Sequence, residues 1–228
     1  MNIGYFGGSF DPIHSGHLSV ARAAADACRL DRVLFVPTDA PPHKRRRPLT
    51  AFIHRYAMVA LALAEAHDQR FIPSLLESPD RNKKFHYSID TIRALQRQLK
   101  KNDRLFFLIG IDAFADISKW RQPEPLLRAC EFIVVSRPGH SLAQVADHLP
   151  PALRPRTIIS RAPRRAGGVR TLHFRGVTIH LMDSVAAPAS ATDVRQRLRS
   201  VPRRPGWDRV LPRSVAAYIR KLHLYEVE

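Results

Sequence analysis

The sequence predicts an α/β protein: a doubly wound parallel sheet with helices on both faces and a small helical part at the C-terminal end. Two observations predict this fold. Short apolar segments alternate along the chain with segments whose apolar residues recur at helical spacing. The 228 residues are 45% hydrophobic and 25% charged, which is ordinary for a globular protein of one large domain or two small ones. In such a sheet, ligands bind beyond the carboxyl ends of the strands.

The predicted strands are short apolar runs, a composition typical of strands that are buried on both faces. They cover residues 2–6, 32–37, 71–76, 105–109, 131–136 and 177–181. The first strand runs directly into the pair Gly7-Gly8, and the fourth ends at Gly110. Two glycines directly after a strand let the backbone turn tightly and approach a ligand closely.

The predicted helices lie between these strands and after the last one. An alanine-rich helix covers residues 18–28, a second covers 50–66, and a third begins near Ser88. The apolar residues of the second are Phe52, Tyr56, Val59 and Leu63. Two C-terminal helices follow, and the first begins in the capping-box form, with Ser190 at the N-cap and Asp193 three residues on. The apolar side of the last helix comprises Val215, Tyr218, Ile219 and Leu222.

The chain is strongly basic. It has 37 Lys and Arg against 20 Asp and Glu, a formal net charge of +17. Such a surplus attracts polyanions, including nucleotides and nucleic acids. The segment 151–181 holds seven arginines and no acidic residue, and within it we interpret the stretch near 151–176 as an insertion or mobile loop. A nucleic-acid-binding module that uses this segment is one functional hypothesis, although the segment lacks interleaved aromatic residues.

The sequence argues against membrane and secreted classes. The longest strictly apolar run, residues 57–64, is far shorter than the span of about 20 residues that a bilayer requires. The first residues have neither a cationic lead nor a long apolar stretch, so no signal peptide is predicted. Cys28 and Cys130 stand alone, which indicates neither a zinc site nor a disulfide framework. We therefore expect a cytoplasmic protein.

The stretch after the first strand is the most informative. It comprises Gly7, Gly8, Ser9, Phe10, Asp11, Pro12, Ile13, His14, Ser15, Gly16 and His17. The two histidines flank Gly16, where the next helix is expected to begin. A helix N-terminus offers unpaired N–H groups and positive dipole, and imidazoles there can donate hydrogen bonds to phosphate. The pattern therefore predicts phosphate binding. A metal site on the two histidines is the alternative, although no third ligand is evident.

This stretch resembles the signature of the HxGH nucleotidyltransferases, and more narrowly that of bacterial nicotinate-nucleotide adenylyltransferases. Further segments resemble that family in the same order along the chain. They are Pro41-Pro42-His43-Lys44, His86-Tyr87-Ser88, Gly110-Ile111-Asp112 with Trp120, and the helix start from Ser190 to Arg195. The resemblance implies a single nucleotidyltransferase domain over residues 1–228. A Rossmann-like core would occupy residues 1–185, and C-terminal helices over 186–228 would carry the phosphate-binding helix start.

The resemblance implies an enzyme that joins nicotinate mononucleotide to the AMP part of ATP and releases pyrophosphate, a step in NAD biosynthesis. The attack would be in line, without a covalent enzyme intermediate, so catalysis would depend on positioning and charge stabilisation. Mg²⁺ would accompany ATP and be held mainly by its phosphates. ATP and nicotinate mononucleotide are the implied partners, no membrane partner is implied, and a homo-oligomer is left open.

The resemblance also implies which residues form the site. The catalytic group comprises His14, His17, Lys44 and Arg195, with His17 nearest the transferred phosphate. The ATP and phosphate group comprises Gly7, Gly8, Ser9, Phe10, Gly16, Gly110, Asp112, Ser190 and Thr192. The mononucleotide group comprises Tyr87, Ser88 and Trp120, which would supply two backbone N–H groups for a carboxylate and a ring to stack on the pyridine. Purely structural roles stay open for Lys44, Asp112, Trp120, Ser190, Thr192 and Arg195.

Three alternatives stay open. Phosphopantetheine adenylyltransferases share the opening signature, but they typically have threonine where His14 stands and a shorter chain. Nucleic-acid binding leaves His14, Gly16 and His17 without a purpose. Between the acid and amide forms of the mononucleotide, N–H donors at Tyr87 and Ser88 favour the acid, but the sequence does not fix the ratio.

Overall fold

Seven strands of the described part of the chain form one sheet. The structure, a computed structural model, describes residues 1–39, 49–80, 85–136, 142–155, 169–183, 190–200 and 206–226. Its strands are β1 (Asn2–Gly8), β2 (Arg32–Pro37), β3 (Phe71–Pro73), β4 (Arg104–Gly110), β5 (Glu131–Ser136), β6 (Arg170–Phe174) and β7 (Val177–Asp183). They lie in the order β3-β2-β1-β4-β5-β7-β6. The order reverses between β1 and β4, the position at which doubly wound folds bind ligands.

The strands β1, β4, β5 and β7 run parallel. Phe6 lies opposite Leu108, Leu108 opposite Ile133, and Val134 opposite Leu181. Because β4 and β5 bury nearly all their side chains, they have the continuous apolar composition of strands covered on both faces. The predicted α/β fold with a doubly wound sheet is confirmed.

One edge of the sheet differs from the prediction. Residues 170–174, which the sequence assigns to a loop, form β6, and β6 pairs antiparallel with β7. Arg175 and Gly176 connect the two strands with φ angles of 46° and 78°. Positive φ at both central residues suits a two-residue hairpin, whose twist matches that of the strands. The turn was missed because arginine is not a usual residue at such a position; residues 156–168 lie outside the described part.

The helices match the prediction where they are long. They are α1 (Ser15–Cys28), α2 (Phe52–Ala66), α3 (Ser88–Gln96), α4 (Ile111–Phe114), α5 (Pro123–Ala129), α6 (Leu142–Asp147), α7 (Ala191–Arg199) and α8 (Arg213–Lys221), with 3₁₀ turns at Ile117–Lys119 and Pro151–Leu153. The five predicted helices correspond to α1, α2, α3, α7 and α8. The short helices α4, α5 and α6 were missed because each is too short to display an apolar period.

The chain divides into two compact units. The first comprises Met1–Phe6, Ala23–Val33 and Tyr87–Val185, and the second comprises Gly7–Arg22, Leu34–His86 and Ala186–Glu228. The single domain over residues 1–228 stays a prediction. No helix in the described ranges is long and apolar enough to cross a membrane. Cys28 and Cys130 are free thiols.

The first unit has an aromatic core and a polar link between three of its strands. The ring centroid of Phe107 lies 5.3 Å from that of Phe132 and 4.7 Å from that of Tyr5. Glu131 accepts hydrogen bonds from Arg104 Nε at 2.8 Å and from His180 Nε2 at 2.7 Å. These two bonds join β4, β5 and β7 across the sheet.

In the second unit, α2 packs against α8 and β3. The Glu65 carboxylate accepts hydrogen bonds from the Ser214 hydroxyl at 2.6 Å and from the backbone N–H groups of Arg213 and Ser214 at 2.9 and 2.8 Å. Glu65 of α2 thus accepts hydrogen bonds from N–H groups at the start of α8, which a helix leaves without partners of its own. Tyr218 of α8 in turn bonds to His54 of α2 at 3.0 Å.

Candidate active site

The glycine-rich turn after β1 is shaped by the side chain of Phe10. Phe10 is 1% exposed and has a φ angle of 44°. Its ring packs 5.8 Å from that of Phe35 and 5.1 Å from that of His17. A Cβ atom added at Gly8 would lie only 3.2 Å from the Phe10 ring, so a side chain there would push this buried ring out of its place. The Phe10 ring therefore packs inside the turn. The backbone of this turn is the part that the sequence predicts to bind phosphate.

The two signature histidines lie against each other. Their ring centroids are 3.7 Å apart and the rings are inclined by 25°. The backbone N–H of His14 donates to Nδ1 of His17 at 3.2 Å. An imidazole nitrogen that accepts a hydrogen bond carries no proton, so the proton of neutral His17 lies on Nε2. The local backbone thereby fixes His17 as a donor through Nε2.

His14 is neutral at physiological pH. It is 8% exposed, and burial lowers its pKa to about 4, because the charged imidazole loses its hydration. Its Nδ1 atom is buried and has no hydrogen-bond partner among the described residues. A polar atom that is buried without a partner is costly, and a bound ligand is one of its ordinary explanations. His14 thus offers a hydrogen-bonding ring without a charge of its own.

The helix that follows begins at Ser15, one residue before Gly16, where the sequence places its start. The backbone N–H of Ser15 donates to Val210 O at 2.8 Å, and that of His17 donates to His14 O at 2.9 Å. Two of the N–H groups at this helix start are therefore already used inside the protein. The predicted phosphate contact at Gly16 stays a prediction.

Asp11 ties the turn to three other segments. One carboxylate oxygen accepts from the Tyr225 hydroxyl at 2.7 Å and the other from the Thr50 backbone N–H at 3.4 Å. Its carbonyl oxygen accepts from Nη1 of Arg195. Burial, with the neighbouring Asp11 charge, raises the pKa of Tyr225, so its hydroxyl stays protonated and donates. Asp11 therefore organises the turn by holding it to these segments.

The helix start at Ser190 has the predicted capping form. The Ser190 hydroxyl accepts from the backbone N–H of Asp193 at 3.4 Å. Nη2 of Arg195 lies 3.2 Å from the Thr192 hydroxyl, which accepts its hydrogen bond, while Nη1 reaches Asp11. The structure thus brings Arg195 and Thr192 to the glycine-rich turn within the second unit. Their contact with phosphate stays a prediction.

The predicted mononucleotide residues lie in the first unit. Tyr87 is the N-cap of α3, and no side chain among the described residues caps that helix. The Arg121 guanidinium lies 4.5 Å from the centre of the Tyr87 ring, a cation–π contact. Trp120 is partly exposed, with its ring centroid 6.1 Å from that of Phe107. Arg121, the residue after Trp120 in sequence, therefore packs on the ring of the other predicted residue, Tyr87.

Gly110 and Asp112 are both exposed where β4 passes into α4. A Cβ atom at Gly110 would meet no atom of the described residues within 4 Å. The backbone at the carboxyl end of β4 therefore faces open space, where a ligand could approach it. Lys44 lies outside the described residues, as does the rest of 40–48, and its catalytic role stays a prediction.

Arg55 is the residue of this region that the sequence analysis missed. It is 1% exposed and donates to the carbonyl oxygens of Ser9, Thr38 and Thr50. A signal was present, because Arg55 occupies the first position of the buried face of α2. That face comprises Arg55, Met58, Val59, Ala62 and Leu63. The spacing i, i+3, i+4, i+7, i+8 is that of a core stripe, and an arginine within it indicates a buried polar partner.

The comparisons with known proteins agree with this arrangement. The family model described as cytidylyltransferase-like matches residues 5–197. A protein of Solibacter usitatus named "Probable nicotinate-nucleotide adenylyltransferase" is 38% identical over 225 residues, which are 99% of this chain and 100% of that protein. A protein of Citrifermentans bemidjiense with the same name is 36% identical and covers 99% of this chain and 98% of its own length.

The fold matches a solved structure as well. The structure titled Plasmodium falciparum nicotinic acid mononucleotide adenylyltransferase complexed with NaAD superposes with a TM-score of 0.67 at 19% identity. The match covers 98% of this chain and 97% of that one. The resemblance inferred from the signature residues is thereby confirmed. The chain belongs to the cytidylyltransferase-like family and, within it, to the nicotinate-nucleotide adenylyltransferases.

Proposed function

We propose that this chain transfers the AMP part of ATP to nicotinate mononucleotide and releases pyrophosphate, yielding nicotinate adenine dinucleotide for NAD biosynthesis. The observation that carries the proposal is the stacked pair of His14 and His17, with the His17 Nδ1 atom held as an acceptor by the His14 backbone. That arrangement commits Nε2 of His17 to donation. A fixed donor beside a glycine-rich turn is the group that a phosphate undergoing substitution requires.

The two free cysteines fit the reducing cytoplasm that we propose as the location of this protein.

The chemical step is a substitution at the α-phosphorus of ATP. A phosphate oxygen of the mononucleotide forms the new P–O bond, the bond to the bridging oxygen between the α- and β-phosphates breaks, and its electron pair leaves on pyrophosphate. His17 Nε2–H would donate to an oxygen of the α-phosphate, where charge accumulates. Since no protein atom attacks the phosphorus, the chain contributes position and charge stabilisation.

The leaving group would be held in the second unit. Arg195 has one guanidinium nitrogen on the Asp11 carbonyl and the other on the Thr192 hydroxyl, so its plane is fixed before any nucleotide binds. A fixed guanidinium can bind two phosphate oxygens through parallel hydrogen bonds. Ser190 and Thr192 would add hydroxyl or N–H contacts at the start of α7, and Lys44 a further charge.

The mononucleotide would be recognised by the first unit. The backbone N–H groups of Tyr87 and Ser88 stand at the positive end of α3, which favours an anionic carboxylate over a neutral amide. Trp120 would stack on the pyridine ring, and Asp112 would accept a hydrogen bond from a ribose hydroxyl. Such contacts would favour the acid form, nicotinate mononucleotide, over the amide.

Mg²⁺ would enter with ATP, and it would supply charge neutralisation on the phosphates. The acidic residue nearest the histidines in sequence, Asp11, has both carboxylate oxygens in hydrogen bonds to Tyr225 and Thr50. Both oxygens of Asp11 thus already accept a hydrogen bond from the protein. This fits an ion that takes its ligands from phosphate oxygens and water, which is the usual mode for nucleotide-bound Mg²⁺.

Pyrophosphate release tests the proposal. The purified chain is supplied with ATP and Mg²⁺ and, in parallel, with nicotinate mononucleotide, nicotinamide mononucleotide or phosphopantetheine at equal concentration. We expect the nicotinate form to react fastest. Faster turnover of phosphopantetheine would keep the chemistry and overturn the substrate, whereas the absence of release with all three would overturn the activity.

A further inference from the structure

Arg55 is a buried arginine of the second unit, and its side chain forms hydrogen bonds with residues outside its own helix, α2. Burying a guanidinium is costly unless its N–H groups and its charge are both matched. Burial lowers the pKa of Arg55, while the neighbouring charges of Asp11 and Asp39 oppose that shift. Its position in the core stripe of α2 would suit an apolar side chain. The hydrogen bonds that Arg55 forms explain why an arginine occupies this position.

Three carbonyl oxygens converge on this guanidinium. Nε donates to Thr50 O at 2.7 Å, and Nη1 donates to Ser9 O at 2.9 Å and to Thr38 O at 2.8 Å. Thr38 follows β2, and Thr50 precedes α2. The Thr38 backbone N–H donates in turn to Gly8 O at 2.9 Å. One side chain therefore holds the glycine-rich turn, the end of β2 and the approach to α2 in a fixed relation.

The contact with Ser9 determines the direction of the next backbone donor. In a planar trans peptide the C=O and the N–H point in opposite directions. Since the Ser9 carbonyl points at Arg55, the N–H of Phe10 points away from α2. The Phe10 ring is buried against the rings of Phe35 and His17, so it anchors the residue that follows this peptide bond. Arg55 and the ring thus hold the same peptide bond from its two ends.

We propose that Arg55 is a positioning residue for catalysis: it orients the peptide bond between Ser9 and Phe10 so that the Phe10 N–H is presented to a nucleotide phosphate. The inference rests on the proposed function, and it adds a residue that does not itself touch substrate. Arginine is needed because a lysine ammonium is a single point and cannot reproduce the spacing of the Nε and Nη1 donors. Arg55→Lys would keep the charge and lose the orientation.

The Phe10 amide can be observed by itself. The chain has 11 phenylalanines, and only Phe10 follows a serine. Protein labelled with ¹³C-carbonyl serine and ¹⁵N-phenylalanine therefore gives one carbonyl-correlated amide signal, that of Phe10. In the wild type we expect this signal to move on titration with Mg²⁺ and α,β-methylene-ATP. In Arg55→Lys we expect a displaced signal before titration and at most a third of the wild-type shift at saturation.

Kinetics supply the second measurement. We expect Arg55→Lys and Arg55→Gln to lower kcat at least tenfold, since a misplaced donor loses part of the 10²–10³-fold effect of a transition-state contact. Ser214→Ala is the matched control, because Ser214 stabilises the same unit through Glu65. It should lower Tm and leave kcat within twofold when all variants are assayed well below their Tm.

The outcomes separate the two proposals. If Arg55→Lys is folded and has the wild-type Phe10 signal, the same titration shift and a kcat within twofold of wild type, the positioning role is wrong. Should Arg55→Gln fail to fold, Arg55→Lys alone decides by the same criteria. If the wild type releases no pyrophosphate, the proposed function fails, and the Phe10 titration still tests the orientation by Arg55.

Discussion

At the scale of single residues, the tautomer of His17 is the feature on which the chemistry depends. The hydrogen bond from the His14 backbone to Nδ1 leaves Nε2 as the donor. A donor that is fixed before substrate binds needs no reorganisation when charge develops on the phosphate. We expect His17→Ala to lower kcat by at least about 10², the scale for losing one transition-state donor.

The measurement is steady-state pyrophosphate release by folded protein. His223→Ala is the control, since His223 is an exposed histidine that pairs with Glu226 at 3.1 Å. It should have the wild-type kcat. A near-normal kcat for His17→Ala would remove this histidine from the chemical step.

Burial of His14 makes stability depend on pH. Burial lowers its pKa from 6.5 to about 4 in the folded protein, so the unfolded chain binds the proton more tightly. The free energy of unfolding therefore has its full value above about pH 6.5 and falls as pH drops from 6.5 towards 4. The expected loss from this group is about 2 kcal/mol by pH 5. Urea unfolding at pH 7.5 and 5.0 measures it, and His14→Gln should lose correspondingly less. Equal losses in both proteins would contradict the assignment.

Substitution of Trp120 tests whether this residue contacts the substrate or only packs within the protein. Its ring is partly exposed and beside Arg121, so a stack on pyridine is worth about 0.5–1.5 kcal/mol. Trp120→Ala should raise KM for nicotinate mononucleotide about three- to tenfold and change KM for ATP by less than twofold. The other tryptophan, Trp207, is buried under Arg220 and serves as the control in Trp207→Phe. Equal changes in both KM values would indicate a structural tryptophan.

At the scale of elements, the sequence predicts those helices that are long enough to show a repeating apolar spacing. The helices α1 and α2 have 14 and 15 residues, and their apolar spacing predicted them. The helices α4 and α6 have 4 and 6 residues, too few to show a face. The edge strand β6 was missed for another reason: its existence depends on pairing with β7, which only the fold provides.

The attachment of α8 is a test at this scale. The Ser214 hydroxyl donates to Glu65 at 2.6 Å near the start of α8. Ser214→Ala should reduce the free energy of unfolding by about 1 kcal/mol, the usual net value of such a bond. Thermal or urea unfolding of the two proteins at pH 7 measures the difference. A difference below the error of the measurement would show that the Ser214 hydroxyl adds nothing to the backbone hydrogen bonds and apolar contacts that hold α8.

The same bond gives a second pH dependence. Burial raises the pKa of Glu65, but the hydrogen bonds from Ser214 and Arg213 outweigh it and lower the pKa overall. The carboxylate therefore stabilises the fold above its unfolded pKa, and that contribution is lost as pH falls through the lower folded value. The difference in free energy of unfolding between the wild type and Ser214→Ala should accordingly become smaller at acid pH.

At the scale of the whole molecule, the signature residues identified the family, and their contacts determine how the site is held. Composition and alternation predicted the α/β sheet, and the stretch from Gly7 to His17 predicted a phosphate site. The role of Arg55 could not be predicted, because three carbonyl groups far apart in sequence meet only in the folded chain. The role of Lys44 stays a prediction, and the sequence assigns the arginines near 151–176 no role in the proposed activity.

The most direct test of the proposed activity is identification of the product. The chain is incubated with ATP, Mg²⁺ and nicotinate mononucleotide, and the mixture is analysed by mass spectrometry together with a pyrophosphate assay. We expect nicotinate adenine dinucleotide and pyrophosphate in equal amounts. Pyrophosphate formed with free AMP and no dinucleotide would show hydrolysis in place of transfer, and it would contradict the account of how this site uses ATP.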